Sequence, residues 1–406
     1  MIIYFLLFSI LVILSINYEI TGFNKGKNIL IFTIIFILAF NYQMGTDWIP
    51  YQYFYENIVP NISFLDIFFN KNISYEKGYI LLNFIFCNMG FNYEFFMGII
   101  LGICIYILLD IIYKKSDNYY LSFNIFIISY LLVNTLEPVI RQLIVITLCS
   151  YAFKFIEKKK FFNYLIFVVL SFFFHKSAII GIFIYFLPLL KIKLKNIILI
   201  AIFIYLSILT IPFIMEIVSK AIPSLSKYSN YFNNNVRYGI SQQRSMLRTF
   251  YSLITLCGYT YIIFYCYQYS KKKMIYINNI AIIYVLVNYF QNLLPILYRV
   301  NQYFVLGFSI CMGSVGMLQL PNNKKIKCNK KRLGFLFAII LYIPFVLSFL
   351  RMSSIELNRL RYFSYKNYFI EMMKDDLKKN FKEKSEEYER IIKKLIEKEN
   401  NALRRE

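Results

Sequence analysis

YEFFMGIILGICIYILLDIIY, residues 93–113, runs straight into Lys114-Lys115 and decides the reading of the whole chain. About 20 predominantly apolar residues are enough for a helix to cross bilayer hydrocarbon. Paired lysines at the end of such a run mark a cytoplasmic helix terminus. Comparable apolar runs lie on both sides of it. Upstream they cover 2–17, 28–41 and 78–90; downstream they cover 119–136, 139–156, 161–174, 176–190, 196–218, 247–269, 274–296, 301–319 and 333–350. Only 17% of the 406 residues are charged and 59% are hydrophobic, whereas a soluble domain carries about 25% charged residues. The mean hydropathy is +0.54. The expected fold is all-α: a polytopic integral membrane protein with about 11–14 transmembrane or half-membrane helices. They fill residues 1–351, with longer outer loops at 42–77 and 219–246.

Residues 352–406 form a charged tail, expected to be an exposed helix, in which Leu377, Phe381, Tyr388, Ile391, Leu395 and Leu403 recur among Lys and Glu. The first run, 2–16, has the length of a signal peptide but lacks a basic start and a small-residue cleavage site, so it reads as a retained helix.

The net charge of +23 does not indicate nucleic acid, because no groove-reading motif accompanies it. The lysines gather in short loops between apolar runs, at 114–115, 158–160, 191–195, 271–273 and 324–332, as the positive-inside rule requires of cytoplasmic loops. Seven scattered cysteines include no CxxC pair, so neither a disulfide framework nor a zinc site is expected.

Fixing those lysine loops inside sets the other connections by parity. Loop 219–246, the turn at Glu137–Arg141, the turn at His175-Lys176 and the turn around Arg299 fall outside. The tail after Leu350 also falls outside, although its charge would suit either face. In the N-terminal third, 24–28 inside and 42–77 outside leave one crossing for two segments, so the short 78–90 run is expected to be a half-helix.

Ionisable residues within membrane segments are costly and are functional suspects for that reason. Arg141 follows Glu137-Pro138, at the i,i+4 spacing that puts Glu137 and Arg141 on one helix face. It reads either as an interfacial arginine paired with Glu137 or as part of a site. His175, the only histidine, is the one side chain with an ordinary pKa near neutrality, and Lys176 beside it favours the neutral form. Arg237, Arg244, Arg248 and Arg299 share the outer side, and guanidinium pairs bidentately with phosphate or anchors to headgroups. Gly45-Thr46-Asp47-Trp48 precedes Tyr51, Tyr53, Phe54 and Tyr55. Aromatics mixed with a carboxylate hold sugar rings or line the membrane interface. Parity sends Asp47, Arg141, His175, Arg244 and Arg299 to one side of the membrane, and this convergence points to an outward-facing site.

At these residues the chain resembles the EpsG family of polysaccharide biosynthesis proteins, a branch of the Wzy-like polymerases. The resemblance rests on Gly45-Thr46-Asp47-Trp48 with Tyr51 and Glu76-Lys77-Gly78-Tyr79; on Ile140-Arg141-Gln142; and on Phe174-His175-Lys176-Ser177-Ala178. Weaker echoes are Arg299 with Tyr303-Phe304, and Tyr365-Lys366-Asn367-Tyr368-Phe369. Order and spacing hold from about residue 41 to 370. The chain departs from the family in having Asn41-Tyr42-Gln43 where an arginine is common, Trp48 where tyrosine is common, and an extra charged extension at 371–406.

The resemblance implies a polymerase that joins undecaprenyl-diphosphate-linked oligosaccharide repeat units at the outer face of a bacterial cytoplasmic membrane. Arg141, with Arg244 or Arg299, is expected to hold the diphosphate. His175 is expected to be the base that activates the acceptor hydroxyl, with Asp47 its competitor. Glu76, Gln142, Lys176, Arg237, Arg248 and Tyr51 complete the expected substrate-binding set. No cofactor is expected, because the donor arrives activated, and no ligand cluster argues for a metal. A flippase and a chain-length regulator are the implied partners. The alternatives are a lipid-linked oligosaccharide flippase, with its ionisable residues near the midplane, a glycan ligase, and a membrane O-acyltransferase using His175 from the cytoplasmic side.

Overall fold

An apolar segment in hydrocarbon has no hydrogen-bond partner but its own backbone, and the computed structural model is helical throughout its described residues. These are 2–22, 26–42, 44, 48–70, 73–132, 139–190, 192, 256–265, 274–291, 297–314 and 365–373, with 386 and 390. The segments 196–218 and 333–350, the loop 219–246 and most of the tail lie outside them. No strand occurs among the described residues, and the one bridge joins Asn41 to Asn367.

The chain divides into two units. The first comprises 1–113, 123–179 and 337–406, the second 114–122 and 180–336. The first unit opens with α1 (Ile2–Thr21) and α2 (Lys27–Ala39), and continues through α3 (Trp48–Tyr53), α4 (Asp66–Phe69), α5 (Lys77–Asn88) and α6 (Tyr93–Lys115). Only α6 is long and apolar enough among the described residues to cross a membrane by length and composition alone. The other apolar helices found, including 3–18, 27–39, 119–131 and 275–291, are shorter.

Helices α2 and α6 lie side by side in opposite directions. Lys27 Nζ meets Asp110 Oδ1 at 3.6 Å at one end, and at the other Gly98 leaves room for the Phe40 ring, which an added Cβ would meet at 2.4 Å. Helix α5 has 12 residues, about 18 Å at 1.5 Å per residue. That is well short of the ~30 Å of a bilayer core, as expected of a half-helix. It returns to α6 through a tight turn in which Gly90 adopts φ 77°.

Between α3 and α5 the chain is pinned rather than loose. Helix α3 widens into a π turn at Phe54–Ile58, and Tyr55 Oη donates to the Phe91 carbonyl at 2.7 Å. Farther on, the Ser63 amide and Oγ donate to Asp66 Oδ2 at 2.9 and 2.7 Å. These two donors hold the exposed Asp66 carboxyl below the usual carboxylate range.

After α7 (Tyr119–Phe126) come α8 (Ile140–Tyr151), α9 (Phe153–Glu157), α10 (Phe161–Phe172) and α11 (Ile179–Phe186). The run read as 139–156 is therefore broken at Ala152, whose amide bonds back to Leu148 and Ser150.

A short C-terminal stretch closes the first unit. Tyr42 N–H donates to the Lys366 carbonyl at 3.0 Å, and Tyr368 N–H donates to the Phe40 carbonyl at 2.8 Å. Asn367 Nδ2 reaches the Phe36 carbonyl at 3.1 Å. Asn92, just before α6, donates to Tyr368 Oη at 2.8 Å. Residues 365–373 thus sit at the end of α2 that leads into 42–77, opposite the Lys27–Asp110 end.

In the second unit, α12 (Ile275–Gln291), α13 (Leu297–Asn301) and α14 (Val305–Met312) follow in order. Gly307 lets α14 seat on Ile280, which a Cβ would meet at 2.3 Å. Asn279 Nδ2 donates to the carbonyls of Leu187 and Leu190 at 2.7 and 3.0 Å, satisfying the end of the turn there.

Candidate functional site

Arg141 is the second residue of α8. Its Nη1 donates to Glu76 Oε2 in an ion pair, and its Nε donates to Tyr51 Oη at 3.4 Å. The guanidinium carbon stands 4.9 Å from the Tyr75 ring centre and 5.7 Å from that of Tyr51. The two rings, 5.8 Å apart, therefore present π faces to a delocalised cation, an attraction worth about 0.5–2 kcal/mol. The pair is half-buried, with side-chain exposures of 23% for Arg141 and 15% for Glu76. Glu137, the partner read from spacing, lies outside the described residues; the observed partner is 65 residues upstream.

Each group is held by the local fold. Glu76 sits in extended conformation immediately before α5, so the helix start fixes its backbone. Tyr51 is buried on α3, and Tyr79 on α5 packs its ring 5.6 Å from Tyr51 and 5.5 Å from Tyr75. Phe54 closes the cluster 4.6 Å from Tyr75.

The turn carrying His175 meets this cluster through the backbone. Gly78 N–H donates to the Phe173 carbonyl at 2.7 Å, and the 176–178 turn packs against α8. Glu76-Lys77-Gly78-Tyr79, Ile140-Arg141-Gln142 and the Phe174–Ala178 stretch are thereby brought together. His175 Nδ1 accepts from the Ser177 amide at 3.1 Å and lies 2.7 Å from Ser177 Oγ. A backbone amide can only donate, so Nδ1 is the acceptor and the neutral ring carries its proton on Nε2. His175 therefore caps the turn before α11.

The remaining predicted residues are placed as follows. Gln142 is buried and Lys176 is exposed. Arg299 is exposed on α13 of the second unit. Asp47, Arg237, Arg244 and Arg248 lie outside the described residues. Sequence reading passed over Tyr75, whose only signal is its place directly before the Glu76 motif. Among the described residues no group of three or more His, Cys, Asp or Glu could hold a metal ion.

Comparison with known protein families matches the chain over residues 27–370 to the model of the EpsG family. The chain belongs to the EpsG family. No curated protein and no solved structure matches it. The EpsG family is associated with membranes and with polysaccharide biosynthesis, and the matched span of this EpsG member contains every residue of the Arg141 cluster.

Proposed function

We propose that this EpsG member polymerises undecaprenyl-diphosphate-linked oligosaccharide repeat units by glycosyl transfer at the outer face of a bacterial cytoplasmic membrane. The observation that carries the reading is the state of Arg141. It is held by Glu76 through one nitrogen and braced by Tyr51 and Tyr75, while its Nη2 makes no hydrogen bond among the described residues. A guanidinium so oriented, with donors to spare, suits a phosphate oxygen.

In the reaction an acceptor hydroxyl oxygen attacks the anomeric carbon of the donor sugar. The bond from that carbon to the phosphate oxygen breaks, and its electron pair leaves on undecaprenyl diphosphate. Arg141 stabilises the charge that develops there, and His175 Nε2–H adds a second donor. The hydroxyl proton then goes to a base other than His175, and Asp47 is our candidate. Glu76 holds Arg141 in place.

The test is the profile of surface glycan and lipid-linked oligosaccharide in a strain lacking the protein. Loss of the long-chain ladder, with single repeat units present at the outer leaflet, is the expected result. Repeat units trapped on the cytoplasmic side would assign a flippase, and an unchanged ladder would refute the proposal.

His175→Asn separates the two roles of that residue. Asparagine keeps an acceptor for the Ser177 amide but has no group at the Nε2 position. We expect stability within about 0.5 kcal/mol of wild type and polymer output lower by at least about tenfold. A normal ladder would reduce His175 to a cap.

A further inference from the structure

The aromatic cluster around Arg141 contains two buried phenols to which nothing so far gives a task. Tyr79 is fully buried and Tyr93, the first residue of α6, is 4% exposed. Neither hydroxyl has a hydrogen-bond partner among the described residues. Asn83 stands near the Tyr79 hydroxyl, but its Nδ2 donates to the Tyr79 backbone carbonyl at 2.7 Å and its Oδ1, like the hydroxyl, has no hydrogen-bond partner among the described residues. A buried hydroxyl that bonds nothing is worse than the phenylalanine that would fill the same space. Such a group belongs where a partner arrives from elsewhere.

Its surroundings say which kind of partner. Tyr79 lies near Tyr51, Tyr75 and Arg141, and Tyr93 lies near Tyr79, Glu94, Tyr51 and Tyr75, with its ring 5.9 Å from that of Tyr55. The Tyr79 ring touches both rings that flank the guanidinium. Phenol O–H groups beside an arginine with uncommitted N–H donors make a donor-rich lining. That lining complements an oxyanion with acceptors and no protons, and a phosphate is the common biological group of that description.

We propose that Tyr79, with Tyr93 beside it, donates to the phosphate oxygens of the substrate seated on Arg141. This rests on the function proposed above and names two further substrate-binding residues for it. Both hydroxyls are buried, so the oxyanion reaches them as the Arg141 side chain shifts with it. Trp48, the only tryptophan, lies on α3 three positions before Tyr51 and supplies a fluorescence reporter of that shift.

The experiment is retention of radiolabelled undecaprenyl diphosphate by the full-length protein purified in detergent, with Trp48 emission as a second readout. Wild type, Tyr79→Phe, Tyr93→Phe, the double variant and Arg141→Ala are compared, each with its melting temperature. We expect Tyr79→Phe to weaken binding on the order of tenfold and the double variant to weaken it further. Melting temperatures should be unchanged or higher, since phenylalanine removes an unsatisfied polar group. If both phenylalanine variants bind as wild type while Arg141→Ala loses binding, solvent satisfies the hydroxyls and this inference alone falls. If melting temperature drops with binding in Tyr79→Phe, the hydroxyl is structural and the inference again falls. If Arg141→Ala binds as wild type, the diphosphate seat itself is wrong and both readings fall.

Discussion

Arg141→Lys is expected to remove the long-chain ladder from the surface glycan while leaving the protein at its normal level. Lysine keeps the positive charge, so a merely electrostatic role would survive the change. What it loses is the planar fork in which one nitrogen serves Glu76 and another Tyr51, leaving a third for the phosphate of the proposed reaction. It also loses the flat cation that lies beside both the Tyr51 and Tyr75 rings. Removing one preorganised donor to a developing oxyanion costs roughly 10²–10³ in rate, and the lysine variant is expected to fall in that range. The measurement is polymer formed per unit of membrane protein, with accumulated single repeat units as the complementary signal. A lysine variant with normal chain length would take Arg141 out of the mechanism and leave it a structural ion pair.

Gly78→Ala is expected to be nearly as damaging for a different reason. A Cβ at this position would sit 2.7 Å from the Phe173 carbonyl oxygen and 3.0 Å from both the Phe173 carbonyl carbon and its Cβ. The obstruction includes backbone, so no side-chain rotation relieves it. The same carbonyl accepts the Gly78 N–H, and pushing it away breaks the one backbone bond joining the Glu76 segment to the His175 turn. Overpacking of this kind costs about 1–3 kcal/mol, and a misplacement of about 1 Å at a reacting site costs roughly 10² in rate. The expected signature is a modest drop in melting temperature with a disproportionate loss of polymer. Wild-type output from the alanine variant would show that the two segments need not be held in register.

Much of the helical plan was legible because apolar runs and lysine-rich turns have a direct physical meaning. The runs at 2–17, 28–41, 93–113 and 161–174 correspond to α1, α2, α6 and α10, and the shortness of 78–90 announced the half-length α5. The site was legible as a set of residue types and not as a set of partners. Spacing offered Glu137 for Arg141 because i,i+4 is the only neighbour relation a helix exposes to one-dimensional reading. The real partner, Glu76, comes from another helix start, and nothing local in either segment encodes that meeting. Motif likeness flagged Gly78, but the reason for glycine there is a carbonyl 95 positions away in the chain. The capping bond of His175 could not be read either, since it depends on an amide whose direction only the folded turn defines.

The contact between Asn367 and Phe36 spans 331 residues, and this has a consequence for biogenesis. The end of α2 leaves the ribosome more than 300 residues ahead of the stretch that clasps it. Through almost the whole of synthesis the entrance to the 42–77 segment therefore waits without the two backbone bonds that later tie it down. A nascent chain that stops anywhere after the His175 turn and before Lys366 contains every residue of the Arg141 cluster and lacks this fastening. The clasp thus makes the order of synthesis part of the fold: α2 is fastened only once residues 366–368 are available to close on it.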